Sequence, residues 1–201
     1  KHDIHNFIFS STAAVYGSPD HSNPIKEDDP KNPISPYGAS KLASEKEVNK
    51  YLALPGNRGT SLRFFNVVGT AAPELMDNSV ENLVPIVIKK LKAGEAPVIY
   101  GTDYPTPDGT CIRDYVDVRD VAQAHLLSAN AEKELPLVMN VGTGKGASVR
   151  EVIELVGASF GQENLQLIAS ERRAGDSGLL CAEVTLIASA LGFRANHDLV
   201  E

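Results

Sequence analysis

Short apolar runs alternate along this chain with longer stretches in which apolar residues recur at helical spacing. Strands are predicted near Ile4–Ser10, Ser61–Phe65, Tyr115–Val118 and Val138–Val141. Helices are predicted over Pro36–Leu54, Leu83–Ala93, Asp120–Ala131, Ser148–Phe160 and Thr185–Leu191. Ser35-Pro36 supplies a cap and a first turn for the longest of these, and Pro55-Gly56 stops it. Ser148 and Glu151 stand at capping-box spacing. Strand and helix in alternation favour an α/β fold, a parallel sheet covered by helices. No internal repeat or low-complexity linker interrupts the pattern.

Composition narrows the function classes. At 201 residues and 42% hydrophobic content, the chain can bury a substantial core. A formal net charge of −7 with no run of lysine or arginine argues against nucleic acid as a partner. No apolar stretch approaches the roughly 18 residues that suggest a membrane span, and no apolar signal-peptide core opens the chain, so no membrane partner and a cytoplasmic location are expected. The two cysteines, Cys111 and Cys181, lack CxxC spacing and read as reduced thiols. The five histidines are scattered, and no metal site is expected. The glycine cluster Val141-Gly142-Thr143-Gly144-Lys145-Gly146 has neither the Walker nor the dinucleotide spacing and is read as a turn.

The candidate chemistry begins at Tyr37-Gly38-Ala39-Ser40-Lys41. Side chains at i and i+4 share a helix face, so an ammonium can lie beside a phenol there. A free tyrosine ionises near pH 10, and a neighbouring cation favours the phenolate that a base requires. Taken alone, the spacing favours a half-buried Tyr37 and a solvated Lys41. The strand leading into Ser10-Ser11-Thr12 adds hydroxyls at a strand's carboxyl end, where open α/β sheets bind ligands.

In its order of hydroxyl, tyrosine and lysine, the chain resembles the extended short-chain dehydrogenase/reductase superfamily. The run Tyr104-Pro105-Thr106-Pro107-Asp108-Gly109-Thr110-Cys111-Ile112-Arg113-Asp114-Tyr115-Val116-Asp117-Val118 is similar to the signature of UDP-galactose (UDP-glucose) 4-epimerases. Further matches lie in Leu62-Arg63-Phe64-Phe65-Asn66-Val67-Val68-Gly69, Asn82-Leu83-Val84-Pro85 and Arg172-Arg173-Ala174-Gly175-Asp176. The resemblance implies an incomplete Rossmann-type parallel sheet with helices, plus a smaller mixed α/β substrate-binding lobe. Residues 1–66 and 118–142 would belong to the NAD-binding part, and 67–117 and 143–201 to the UDP-sugar lobe. Thr12, Tyr37 and Lys41 would be catalytic, in an epimerisation at C4 of a UDP-hexose through a 4-keto sugar. Ser10, Ser11, Tyr37, Lys41 and Phe64 would meet NAD. Thr12, Asn66, Asn82, Leu83, Val98, Tyr100, Arg113, Arg173, Asp176 and Leu180 would meet the substrate, with the guanidinium forks of Arg113 and Arg173 suited to its diphosphate.

Read residue by residue, Asn66 would serve equally to cap a turn and Val98-Ile99-Tyr100 to form a core strand. Thr12 is followed by Ala13-Ala14, where nucleotide-sugar 4,6-dehydratases carry carboxylates, so dehydration is not expected. Leu180 falls where residue size bears on acceptance of N-acetylated sugars. Cys181 follows where an aromatic is often found, and Cys111 replaces the more usual glycine. Against the resemblance the chain is expected to be cut at both ends, near Lys1-His2-Asp3 and Glu201, and to lack the glycine-rich dinucleotide turn. An exposed sheet edge favouring association, a homodimer, and the alternative of a catalytically silent chain that at most binds UDP-sugar are expectations of the same reading.

Overall fold

The computed structural model describes residues 4–19, 23–79, 81–162 and 164–200. The chain-end positions Lys1-His2-Asp3 and Glu201 therefore lie outside the described residues. Three parallel strands, β1 (Asn6–Thr12), β2 (Arg58–Phe64) and β6 (Val138–Val141), form one sheet in the order β1-β2-β6. Helix α1 (Pro36–Leu52) covers one face, and α3 (Val118–Ala129) covers the other.

The two-residue period of β1 sorts its side chains between these layers. Phe7 meets Tyr51 of α1 edge to face, and Ser11 bonds Glu45 of α1. Asn6 donates to the Ala129 carbonyl, and Ser10 bonds His125, both on α3. On the α3 side the sheet packs an apolar core of Leu62, Val116, Val121, Ala124, Met139, Val141, Ile187 and Phe193. The last two of these come from α5 (Thr185–Leu191) and the residues after it. On the α1 side Leu42 packs against a second apolar cluster that includes Val15, Tyr16, Ile25 and Phe65, beside the enclosed polar groups of Ser11, Glu45, Arg63 and Asn140.

A second sheet joins β3 (Asn66–Val68), β5 (Ile112–Asp117), β7 (Gly146–Ser148) and β9 (Leu179–Leu180), with β5 central. Strand β4 (Val98–Tyr100) pairs with β8 (Ile168–Ser170). Beside them α2 (Leu83–Lys92) and α4 (Val149–Ser159) pack through Val87, Leu91, Ile99 and Ile153.

The predicted elements are all present, Val138–Val141 and Thr185–Leu191 with the predicted ends and the others with shifted ones. Helix α1 starts where Ser35 accepts from the Gly38 amide and Pro36 takes the first helical position. It stops at Leu52, two residues before the predicted end, ahead of the left-handed Gly56 at φ +84°. Asp117 caps α3 by accepting from the Arg119 amide, so the helix begins two residues before the predicted Asp120, and β5 ends at Asp117 instead of Val118. The Ser148–Glu151 capping box is fully formed at the start of α4. Among the described residues no helix is long and apolar enough to cross a membrane.

Candidate active site

The site is built where β1 ends. Thr12 leaves the strand extended and caps a single helical turn, Ala13–Val15, its hydroxyl accepting from the Ala14 amide at 3.2 Å. The first turn of α1 lies directly against this turn, because Gly38 has no side chain. A Cβ there would stand 2.5 Å from the Ala14 carbonyl oxygen. The sequence Tyr37-Gly38 thus carries the phenol and the clearance that lets it approach Thr12.

Lys41 donates to the Ser10 carbonyl at 2.9 Å, and its ammonium lies 5.8 Å from the centre of the Tyr37 ring and 5.1 Å from that of Phe9. The expected helix-face pairing of Tyr37 and Lys41 is therefore present, with Lys41 tied to the strand instead of solvated. Thr12 and Tyr37 line one cleft of about 1110 Å³ together with Phe64, Asn66, Asn82 and Leu83, all six among the expected site residues. Tyr115 and Asp77 share that lining. Asn82 donates its side-chain amide to Asp77 at 2.7 Å. This bond is the main cause that holds the exposed Asp77 carboxyl below its ordinary range.

Ser10 and Ser11 do not act as a pair, which corrects the expectation that both hydroxyls are presented to a ligand. Neighbouring strand residues point to opposite faces. The Ser11 hydroxyl is buried and donates to Glu45 at 2.5 Å. Ser10 faces the other way, toward His125, at 2.9 Å. The His125 Nδ1 lies 2.8 Å from the Val121 carbonyl, which can only accept, so Nδ1 donates there, and Nε2 in the neutral ring accepts from Ser10. The His125 ring also packs against Phe64, with centroids 5.3 Å apart. Sequence reasoning passed over His125, whose only signal was a lone histidine on an amphipathic helix.

The remaining expected residues gather away from the cleft lining, in two groups. Arg113 is buried, and one of its terminal nitrogens donates to the Ile112 and Ser177 carbonyls at 2.9 and 2.8 Å. The other lies 3.5 Å from Asp176. Leu180 stands beside Arg113 in the β5–β9 register. The Arg113 fork, expected open to a diphosphate, is thus partly engaged by main chain. In the second group, the Arg173 guanidinium stacks 4.1 Å over Tyr100, itself 40% exposed, and Val98 pairs with Ile168 in the same strand pair. A parallel stack holds Arg172 4.1 Å over Tyr104, with Asp103 bonded to Arg172 at 2.7 Å.

The glycine cluster is a carboxylate cradle. Asp114, fully buried, accepts from the Thr143 amide and hydroxyl at 2.8 and 2.7 Å, the Gly144 amide at 2.9 Å and the Ala182 amide at 3.1 Å. Amides that could have met a phosphate are spent on the chain's own carboxylate, as the turn reading expects. Among the described residues no group of three or more His, Cys, Asp or Glu could hold a metal ion.

A profile described as the NAD dependent epimerase/dehydratase family matches residues 1–142. A UDP-glucose 4-epimerase of Azospirillum brasilense is 42% identical over 97% of this chain and 57% of its own length. The crystal structure of UDP-glucose 4-epimerase from Brucella ovis in complex with NAD superposes with a TM-score of 0.87 at 39% identity, over 98% of this chain and 62% of that one. That of the Stenotrophomonas maltophila UDP-glucose 4-epimerase, with bound NAD and formylated UDP-arabinopyranose, gives a TM-score of 0.87 at 34% identity, over 98% and 60%. The chain therefore spans about 60% of the length of the relatives it matches. By its profile match over residues 1–142, the chain belongs to the NAD dependent epimerase/dehydratase family.

Proposed function

We propose that this chain carries the catalytic residues of an NAD-dependent inversion at C4 of a UDP-hexose, UDP-galactose to UDP-glucose, through a 4-keto sugar. The observation that carries the reading is the convergence of Tyr37 and Thr12 on one cleft, with Lys41 held beside Tyr37 by the Ser10 carbonyl. The cleft suits the nicotinamide end of NAD. An ammonium has three donors, of which the Ser10 carbonyl takes one, and Phe64 gives the cleft an apolar wall. Ser10, Lys41, Tyr37 and Phe64 are the residues that would hold it there. When bound, NAD supplies a hydride acceptor and donor.

Tyr37, as phenolate, accepts the proton of the C4 hydroxyl and returns it after inversion. Thr12 donates to the same oxygen. Lys41 holds its ammonium 5.8 Å from the centre of the Tyr37 ring, beside the base. Asn66, Asn82 and Leu83 border the sugar, and Arg113, Arg173, Asp176, Val98, Tyr100 and Leu180 form the part that takes the uridine diphosphate. On this reading 1–66 with 118–142 serve the cofactor and 67–117 with 143–201 the UDP-sugar. The pairing of β1, β2 and β6 in one sheet and of β3, β5, β7 and β9 in another supports that division. A homodimer, or association along the edge of β1 that carries no partner strand among the described residues, belongs to the same proposal.

The test is conversion of UDP-galactose to UDP-glucose with NAD in excess, beside calorimetric UDP binding. Tyr37→Phe should abolish turnover and keep UDP binding, whereas Arg113→Ala should weaken binding. Wild-type turnover in Tyr37→Phe removes the assigned base. UDP-sugar binding without turnover in the parent chain supports the second reading, a chain that binds the nucleotide-sugar and is catalytically silent.

A further inference from the structure

Helix α1 carries a third side chain on the face that presents Tyr37 and Lys41. Glu45 follows Lys41 by four residues and Tyr37 by eight, each step turning only about 40° around the helix. It points into the sheet and is 2% exposed. There it accepts two bonds from Arg63 of β2, at 2.9 and 2.7 Å, and one from Ser11 of β1 at 2.5 Å. Arg63 continues the chain to the Tyr16 hydroxyl at 2.8 Å, and Tyr16 donates to Asn140 of β6 at 2.7 Å. Every strand of the β1-β2-β6 sheet is thereby tied to α1 or to the turn after Thr12.

Stability alone is a poor reason for such a network. A buried ion pair gives up so much hydration that apolar residues of similar volume often do as well or better. Direction is what the network supplies and apolar packing does not. Ser11 lies between Ser10, whose carbonyl takes Lys41, and Thr12, which lines the cleft. Two contacts, Lys41 to Ser10 and Glu45 to Ser11, thus clamp α1 to β1 at points about 6 Å apart along the helix axis. Two points fix both the slide and the rotation of a helix on a strand.

We propose that Glu45 and Arg63, acting through Ser11, are positioning residues that set the register of Tyr37 and Lys41 against Thr12. The proposal rests on the C4-inversion reading for its kinetic consequence, although the register itself can be read without turnover. The test is the triple variant Ser11→Ala/Glu45→Leu/Arg63→Met, which replaces the polar contacts with apolar packing. Its thermal midpoint should stay near that of the parent. Its kcat for UDP-galactose should fall about a hundredfold, as expected when reacting groups shift by about 1 Å, with KM nearly unchanged.

Independently of turnover, trace acetylation of Lys41, measured by mass spectrometry against the exposed Lys92, should rise several-fold as the ammonium leaves the Ser10 carbonyl. Ser11→Ala alone, which leaves the Glu45–Arg63 pair intact, gives the same two readouts if the triple variant does not fold. Parent-like kcat and parent-like Lys41 labelling in a folded variant overturn the proposal. A parent chain without turnover, but with Lys41 labelling that rises in the variants, overturns the C4-inversion reading and leaves the positioning role standing.

Discussion

Replacing Asp114 by asparagine tests whether the glycine cluster serves the fold and not a phosphate. The carboxylate is fully buried. One oxygen accepts from both the amide and the hydroxyl of Thr143, and the other accepts from Gly144 and Ala182, with the Cys181 thiol at 3.8 Å. An asparagine must point its NH2 at one of these sets: toward Gly144 and Ala182 it faces two amides, and toward Thr143 it faces one, because the Thr143 hydroxyl can turn to the Lys145 carbonyl and accept. At least one charge-assisted bond is lost, which costs about 1.5–3 kcal/mol. With a urea dependence of about 2 kcal/mol per molar, the unfolding midpoint should fall by roughly 0.7–1.5 M. Lys145→Ala in the same turn should leave it in place, since the Lys145 side chain is exposed and only its backbone enters the turn's bonds. A loss below about 1 kcal/mol in Asp114→Asn would refute the cradle and reopen the cluster as a ligand loop.

Three further outcomes follow from the same geometry. Gly38→Ala sets a methyl 2.5 Å from the Ala14 carbonyl oxygen, so α1 must back away from Thr12. Turnover should drop while UDP binding, measured by calorimetry, is kept. Burial pushes the phenols of Tyr16 and Tyr115 up to about 12, against about 10 when unfolded. Stability from their neutral forms is present below pH 10 and is lost as pH rises toward 12, and Tyr16→Phe should flatten that alkaline loss in a series of thermal melts. Asp108 is held below the ordinary carboxyl range, where bonds from Ser148 and Thr110 outweigh its partial burial. Its stabilisation is present above about pH 4 and lost as pH falls through the lower folded value, so Asp108→Asn should destabilise at pH 7 and converge on the parent as the pH is lowered.

What was legible in the sequence was local. Ser35-Pro36, Pro55-Gly56 and Ser148 to Glu151 mark helix ends through bonds made within a few residues, and those ends are found close to where they were expected. Strands β7, β8 and β9 were not legible, being two or three residues long and defined only by distant partners, Ile112–Asp114 for β7 and Val98–Tyr100 for β8. The same limit governs the side chains. Tyr37 and Lys41 are four apart on one helix and could be paired from spacing alone. Arg113 reads as an open fork until Ser177 and Asp176, more than 60 residues on, occupy part of it. Ser11 was misassigned for a different reason: a run of hydroxyls hides the two-residue period that apolar residues would have displayed.

That period also gives Thr12 its chemical direction. A hydroxyl has one proton to donate, and the bond from the Ala14 amide occupies one of the Thr12 lone pairs from the side of the helical turn. Its proton is left for the cleft, where Tyr37 also stands. An oxygen at C4 changes from hydroxyl to carbonyl and back during inversion, and the carbonyl can only accept. A donor fixed toward that oxygen serves every stage, whereas a freely rotating hydroxyl would have to be reoriented at each. On the proposed C4 inversion, the helical turn Ala13–Val15 would be part of the site as well as its frame, because its Ala14 amide takes one acceptor position of Thr12 and leaves the hydroxyl proton to the substrate.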